Sequence, residues 1–285
     1  MSVSFALIVI SAVCHAGWNL FVKSAKEKIS YNIHIQIAAA CMISFYTVAV
    51  YPEDLYFHKA TFIYALLSSF FFALYQYLTS LSYKYADVSM VYPITTSSPF
   101  FIVIWAYFIL HERVNAAGFI GIFLILSGCY IMNMTRGRGN KSGLKGIILA
   151  FSAAFLYSFG AMADKMGVSN VNTGLYIMLM ADFMAVYSIL FSVLTSRKYG
   201  FFNSIKQLSD WKFILGGAAF LAASTVTYRM GLVDMQISYA SALRQLSSLF
   251  GVLTGILFLK ESYGRQRIIG CVIIIAGITL IRLTI

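Results

Sequence analysis

The sequence has 285 residues, of which 60% are hydrophobic and 11% charged, and its mean hydropathy is +0.80. Soluble domains carry about 45–50% apolar and about 25% charged residues. So little charge cannot cover the surface of a water-soluble fold, which excludes soluble, disordered and collagen-like proteins. The formal charge of +11 lies mainly in short segments between apolar runs, a pattern typical of membrane topology and not of nucleic-acid binding. These features predict a multi-pass protein of the cell (inner) membrane.

Ten apolar runs have about the 20 residues that a spanning helix needs. They cover residues 3–22, 30–50, 60–82, 88–110, 115–134, 143–164, 172–196, 212–231, 236–259 and 265–283. The four cysteines are scattered within these runs without a CxxC pair, which favours helix packing over metal binding or disulfides. The fold class predicted is an all-α membrane protein with ten transmembrane helices.

The two halves of the chain resemble each other. A shift of 149 residues superimposes Glu112 on Glu261, Gly121 on Gly270 and Gly128 on Gly277. The opening helices align at a shift of 141–142. A five-helix unit therefore occurs twice, predicted here as residues 1–138 and 139–285. Because five is odd, the second copy enters the bilayer upside down, as in many secondary transporters.

The repeated acid and glycines resemble those of the EamA group of ten-helix drug/metabolite transporters, and the resemblance covers essentially the whole chain. The run from His15 to Asn19, His-Ala-Gly-Trp-Asn, is similar to a signature in a subgroup associated with phosphonate use. The resemblance implies two inverted repeats and a small-molecule site between them. It also implies both termini in the cytoplasm.

The distribution of charge predicts the opposite orientation. Alternate loops carry fifteen cations on one side and five on the other, namely Lys59, Arg113, Lys165, Arg229 and Arg282. The positive-inside rule places the larger group in the cytoplasm and both termini outside.

Arg244 and Asp182 are ionisable residues at membrane depth, where such residues mark functional sites by default. Asp182 lies ten residues into the seventh run, about 15 Å at 1.5 Å per residue, and Arg244 has a similar depth in the ninth. They either form a structural ion pair, or Arg244 binds a substrate anion while Asp182 takes up a coupling proton.

His15, Trp18 and Asn19 share one face of the first helix. They predict either substrate contacts, with His15 a second candidate for proton coupling, or a cluster that joins helices. The position that matches His15 in the second repeat is Tyr157, a polar aromatic residue that favours a shared cavity.

Pro93 and Pro99 flank a run of hydroxyl side chains in the fourth helix. Proline frees backbone carbonyls, which must be satisfied internally or line a cavity. The matching segment of the ninth helix holds Arg244 and Gln245. We therefore expect the fourth and ninth helices to flank the pathway, with further polar contacts from Gln76 and Tyr92. The repeated glycines predict close helix packing.

The function predicted is a secondary transporter that moves a small polar metabolite, such as an amino acid, organic acid or phosphonate-like anion, by alternating access. A flippase for a lipid-linked substrate is the alternative, and an enzyme or an interaction subunit ranks below it. No catalytic motif, cofactor or metal site is expected. The expected partners are the metabolite and the bilayer, without nucleic acid, and the protein is expected to be a monomer or homodimer.

Overall fold

The computed structural model describes residues 2–24, 28–133, 143–169, 172–195, 211–251 and 265–284, and these residues are almost entirely α-helical. The helices are α1 (Ser2–Ser24), α2 (Lys28–Val50), α3 (Lys59–Ser82), α4 (Val88–Thr95), α5 (Ser98–Ile109), α6 (Ala116–Asn133), α7 (Leu144–Val168), α8 (Thr173–Thr195), α9 (Trp211–Asp234), α10 (Ile237–Arg244) and α11 (Arg265–Thr284). A short 3₁₀ turn, Pro52–Asp54, follows α2.

Seven apolar segments in the described residues are long enough to cross a membrane. One of them, Met90–Ile109, combines α4 with α5, and two shorter apolar helices, Ala116–Met132 and Ile268–Thr284, add to them. Nine of the ten predicted runs therefore correspond to apolar helices, while the run 236–259 contains α10 and extends outside the described residues. The protein is an all-α membrane protein. Glu261, the second of the repeated acids, lies outside the described residues.

The fourth membrane segment is broken at Thr96, between the two prolines. Pro93 lies inside α4 and Pro99 in the first turn of α5. The Thr96 hydroxyl donates to the carbonyl oxygens of Tyr92 at 2.9 Å and Pro93 at 3.2 Å, and Ser97 donates to that of Ile94 at 2.6 Å. The hydroxyl side chains thus satisfy carbonyls that a break in the helix would otherwise expose.

The ninth segment is also broken, at Gln245, directly after α10. The Gln245 side-chain Nε2 donates to the Thr96 carbonyl oxygen at 3.3 Å. Thr96 and Gln245 are 149 residues apart, the shift that superimposes the halves. The equivalent breaks of the two repeats therefore meet each other, as an approximate two-fold axis through this point requires.

The repeated glycines lie where α6 crosses α11. A side chain on Gly121 would come within 3.0 Å of the Gly277 carbonyl oxygen, and one on Gly128 within 2.8 Å of that of Gly270. Because the earlier glycine of one helix faces the later glycine of the other, the helices are antiparallel. That direction is what two inverted repeats require, and the glycines let the backbones touch.

Other long contacts also pair a helix of one repeat with a helix of the other repeat. Helix α1 packs along α9, and its counterpart α7 packs along α3. The Ser11 and Ser224 hydroxyls donate to each other's backbone carbonyl oxygens at 2.9 and 3.0 Å, which joins α1 to α9. The predicted boundary between residues 138 and 139 lies outside the described residues and stays a prediction.

Candidate functional site

Helix α10 carries the predicted arginine into the centre of the protein. Its seven residues from Ile237 to Leu243 are all buried, so no face of this short helix meets lipid. The Glu112 carboxylate caps its N-terminus, accepting from the backbone N–H of Ile237 at 2.7 Å and of Ser238 at 3.1 Å, and from the Ser238 hydroxyl at 2.7 Å. Three charge-assisted bonds thus fix the helix that ends at Arg244.

His111 turns the chain so that Glu112 reaches α10. It has a φ of 55°, in the left-handed region that a non-glycine residue rarely adopts. The backbone N–H of Glu112 donates back to the Ala106 carbonyl oxygen at 3.0 Å, the closing bond of a helix C-cap. Glu112, one of the two repeated acids, therefore pairs with the amides of a helix N-terminus.

Arg244 faces neutral partners. Its Nη2 lies 3.5 Å from His15 Nδ1, and its guanidinium lies 4.3 Å from the centre of the Tyr228 ring. Because a guanidinium has no acceptor, His15 accepts at Nδ1 in this contact. The Nη1 atom is buried and has no hydrogen-bond partner. Within the described residues, no carboxylate lies within ion-pair distance of Arg244.

Trp18 adds a second unpaired donor beside His15. The rings of His15 and Trp18 meet edge to face with centroids 4.8 Å apart, and the Trp18 Nε1 atom is buried without a partner. Asn19 lies on the exposed side of α1, so its part in the site stays a prediction. His15, Trp18 and Arg244 form what we call the central cluster, together with Tyr228.

Tyr157 of α7 lies near Tyr228 of the central cluster and packs against α3. The Tyr157 ring lies 4.9 Å, centroid to centroid, from both Phe72 and Tyr75. The Tyr92 hydroxyl lies 3.2 Å from that of Ser248, which links α4 to the segment after the Gln245 break. Tyr92 and Gln245 therefore lie where the two broken segments meet, whereas Tyr157 lies between α7 and α3.

Gln76 and Asp182 take part in separate hydrogen-bond networks. Gln76 accepts from Gln36 Nε2 at 3.2 Å, and Gln36 in turn accepts from Ser188 at 2.5 Å. Asp182 accepts from the Ser44 hydroxyl at 3.0 and 3.2 Å. An ion pair between Asp182 and Arg244 was one of the two alternatives predicted for these residues. The contacts of the described residues do not include it.

A buried ion pair that sequence reasoning missed lies nearby. Arg229 Nε donates to Asp164 Oδ1 at 2.9 Å, and the two residues are 5% and 2% exposed. The same Asp164 oxygen accepts from the Tyr176 hydroxyl at 2.7 Å, and the Tyr176 hydroxyl also lies 2.8 Å from that of Ser68. We call Ser68, Asp164, Tyr176 and Arg229 the buried network.

The buried network corrects the assignment of Arg229 to a loop. Arg229 lies inside α9 and is paired with Asp164, so it is not one of the loop cations on which the positive-inside rule depends. Asp164 ends one predicted run and Arg229 lies two residues before the end of another, on the same side of the membrane. That match of depth and opposite charge was the signal available in the sequence.

A cavity of about 520 Å³ opens beside the buried network. We call it the vestibule; its walls are Tyr64, Leu110, Glu112, Lys165, Met166, Ser169, Asp234, Met235 and Gln236. The Lys165 ammonium donates to the carbonyl oxygens of Leu232 at 2.7 Å, Val233 at 3.0 Å and Met235 at 3.1 Å. The connection between α9 and α10 is thus held by a lysine on one side and a glutamate on the other.

Comparison with known proteins places this architecture in a family. The model of the EamA-like transporter family matches residues 3–134 and again 144–283. The chain therefore belongs to the EamA-like transporter family, and it is a small-molecule transporter of the cell membrane.

Individual proteins agree with this assignment. The chain is 28% identical, over 225 residues, to the "Putative ribose uptake protein RbsU" of Latilactobacillus sakei subsp. sakei (strain 23K), covering 75% of this chain and 74% of that protein. A crystal structure superimposes on 100% of this chain and 98% of its own with a TM-score of 0.79 and 14% identity. The latter likeness concerns the fold alone.

Proposed function

We propose that this transporter moves a small polar metabolite bearing an anionic group, by alternating access of the two repeats around the central cluster. The observation that carries the proposal is the partly buried Arg244 guanidinium, whose Nη1 atom has no partner. A charge at membrane depth is costly unless it is paired or hydrated. An anionic substrate would supply the missing partner.

The donors of the central cluster suit a carboxylate, phosphate or phosphonate. Arg244 offers a planar fork that matches such groups, and the buried Trp18 N–H is a second unused donor. His15 contacts both residues, which places the two donors on either side of one imidazole. The substrate anion would bind there, in competition with the weak contact at 3.5 Å between Arg244 and His15.

The aromatic residues would hold the rest of the substrate. Tyr157 and Tyr75 offer ring faces beside the polar breaks at Thr96 and Gln245. Tyrosine combines an apolar ring with a hydroxyl that donates and accepts, so this wall suits a ring or a hydroxylated chain. Tyr92 and Gln245 would contact it from the broken helices, and Asn19 and Gln76 would act at the edges of the pathway.

A pentose is the second candidate substrate, favoured by the ribose uptake name of the Latilactobacillus protein. A neutral sugar would use the tyrosine rings and amide side chains but would leave the Arg244 charge without a counter-ion. This difference makes Arg244 the residue that separates the two candidates.

Coupling to a proton is part of the proposal, with Asp182 and His15 as the candidate residues. Asp182 is half-buried and has one hydroxyl partner, Ser44. His15 directly contacts Arg244, the residue proposed to bind the anion. Loss of proton-driven accumulation in Asp182→Asn, with substrate exchange unchanged, would assign the coupling to Asp182.

Ligand-induced thermal stabilisation of the purified protein tests the substrate class. A ligand that binds only the folded state raises stability by about 2.7 kcal/mol at a hundred times its Kd. Organic acids, amino acids, phosphonates, ribose and lipid-phosphate headgroups are compared on the wild type, Arg244→Gln and Arg244→Lys. We expect an anion to stabilise the wild type, Arg244→Gln to lose the response, and Arg244→Lys to keep part of it.

The matched control is Asp234→Asn, which removes an exposed charge outside the central cluster, and we expect it to keep the ligand response. If ribose stabilises both the wild type and Arg244→Gln, the substrate is a pentose and not an anion. Stabilisation by lipid-phosphate headgroups alone would favour the flippase.

A further inference from the structure

We propose that the ion pair between Asp164 and Arg229 is the gate that closes the central cluster on the side of the vestibule. The inference rests on the proposed function, since a gate presupposes that substrate passes the central cluster. It concerns residues that neither the family match nor the relatives assign.

The position of the pair is the first argument. Asp164 directly precedes Lys165 and Met166, which line the vestibule. Arg229 directly follows Tyr228, whose ring lies 4.3 Å from the Arg244 guanidinium. Arg229 is five residues from Asp234 at the vestibule, about 7 Å along a helix. The pair therefore lies between the vestibule and the proposed site.

The partners of the pair are the second argument. Its hydrogen bonds join α7, α8 and α9 of the second repeat, and the Tyr176 hydroxyl extends them to Ser68 on α3 of the first repeat. Motion of one repeat against the other must therefore stretch this network. The buried network holds together the helices that have to part when the vestibule deepens.

The absence of such a pair from the first repeat is the third argument. The corresponding stretches are residues 20–24 of α1, which contain no acid, and residues 78–82 of α3, which contain no arginine. In the second repeat α7 contacts α9, whereas their counterparts α1 and α3 are not among the packed pairs of the first repeat. The ion pair is thus an addition on one side of the membrane.

The contacts of Arg229 suit a bond that breaks. Only its Nε reaches Asp164, while Nη1 donates to the Thr225 carbonyl at 3.3 Å and Nη2 meets the Met180 sulfur at 3.6 Å. A two-pronged bond would be stronger. Pairing makes two buried charges tolerable in the closed state, and water entering a deeper vestibule would hydrate both after separation. A half-open state, in which the two charges have separated but water has not reached them, is disfavoured.

Thiol labelling measures the gate directly. Thr225 lies one turn from Arg229 on the same face of α9, four residues farther from the vestibule end of that helix. Thr225→Cys and Met166→Cys are made separately in a background without Cys14, Cys41, Cys129 and Cys271. The proteins are reconstituted in liposomes, and a membrane-impermeant methanethiosulfonate is added to each side in turn. Met166→Cys reports which side holds the vestibule.

With the native pair, we expect Met166→Cys to react quickly and Thr225→Cys slowly from the vestibule side. Asp164→Asn leaves Arg229 without a carboxylate, so the hydrated open state gains population and Thr225→Cys reacts at least about tenfold faster. The exchanged pair, Asp164→Arg with Arg229→Asp, restores slow labelling. Met166→Cys keeps its rate throughout, which controls for general loosening.

An unchanged rate at Thr225→Cys in folded Asp164→Asn would overturn the gate and leave the pair a structural link. If Asp164→Asn does not fold, the double variant Asp164→Asn with Arg229→Gln, which removes both charges, replaces it. In that variant too, Thr225→Cys must react faster than it does with the native pair. Labelling needs no substrate, so the gate and the proposed substrate class fail independently.

Discussion

Two arginines on consecutive helices have opposite surroundings. Arg229 on α9 is buried against a carboxylate, whereas Arg244 at the end of α10 has a histidine and a tyrosine ring as partners and one unused Nη atom. The protein neutralises the first charge itself and leaves the second available. In the proposed function, the uncompensated charge of Arg244 is the one that binds substrate, and the compensated charge of Arg229 supports the structure.

The largest expected effect comes from removing the paired arginine. Arg229→Gln leaves Asp164 charged and buried without a cation, which destabilises the fold by about 3–5 kcal/mol. Arg244→Gln removes a charge that has no carboxylate partner, so its unfolding free energy falls by less than about 1 kcal/mol. Unfolding in detergent with increasing denaturant measures both. Equal losses in the two variants would contradict the distinction between them.

Glu112→Gln comes next because it weakens the support of α10, which carries Arg244. A glutamine cannot accept the three charge-assisted bonds of the carboxylate, and we expect a loss of about 2–3 kcal/mol. Substrate affinity should fall too, since the position of Arg244 depends on this helix. Asp234→Asn, on the same vestibule wall, is the control that should keep both stability and affinity. An unchanged affinity in Glu112→Gln would mean that α10 keeps its place without the cap.

Tyr176→Phe tests how far Asp164 depends on its second partner. The ring still fills its buried site, but the Asp164 oxygen and the Ser68 hydroxyl each lose a hydrogen bond. We expect a loss of about 1–2 kcal/mol in unfolding free energy. The effect should shrink in an Asp164→Asn background, and a double-mutant cycle measures that coupling. Simple additivity would separate Tyr176 from the ion pair.

The smallest effect is expected at Asp182. It is half-buried and bonded to one hydroxyl, so Asp182→Asn should change the unfolding free energy by less than about 1 kcal/mol. Ser44→Ala should have a similar effect, and the two changes should not add because they remove the same contact. A loss as large as that of Arg229→Gln would place Asp182 among the structural charges.

Much of the architecture was predictable from the sequence, because a bilayer restricts which structures can span it. Long apolar runs must be helices, since backbone groups in a bilayer have no water to bond. The shift of 149 residues predicted the repeat, and it located the glycines that meet where α6 crosses α11. Those glycines follow from a local rule, that backbones touch only where side chains are absent.

The partners of the charged residues were less predictable. Asp182 and Arg244 have similar depths in their segments, and depth alone allowed a pair, but Asp182 bonds Ser44 on α2 while Arg244 meets His15 on α1. Position along a helix says how deep a residue lies, not which neighbour it faces. Asp164 and Arg229 were not predicted to pair for a related reason: both lie at or near the ends of their predicted runs, where a charge is ordinary.

The sequence by itself determined the solvent, the helices, the repeat and the family, because each depends on composition or on spacing along one helix. Only the tertiary structure decided which arginine is neutralised within the chain and which is left open. That choice depends on helices brought together from distant parts of the sequence: α10 with α1 for Arg244, and α7 with α9 for the ion pair. The free energy of burying a charge depends on its neighbours in space, and helix packing determines those neighbours.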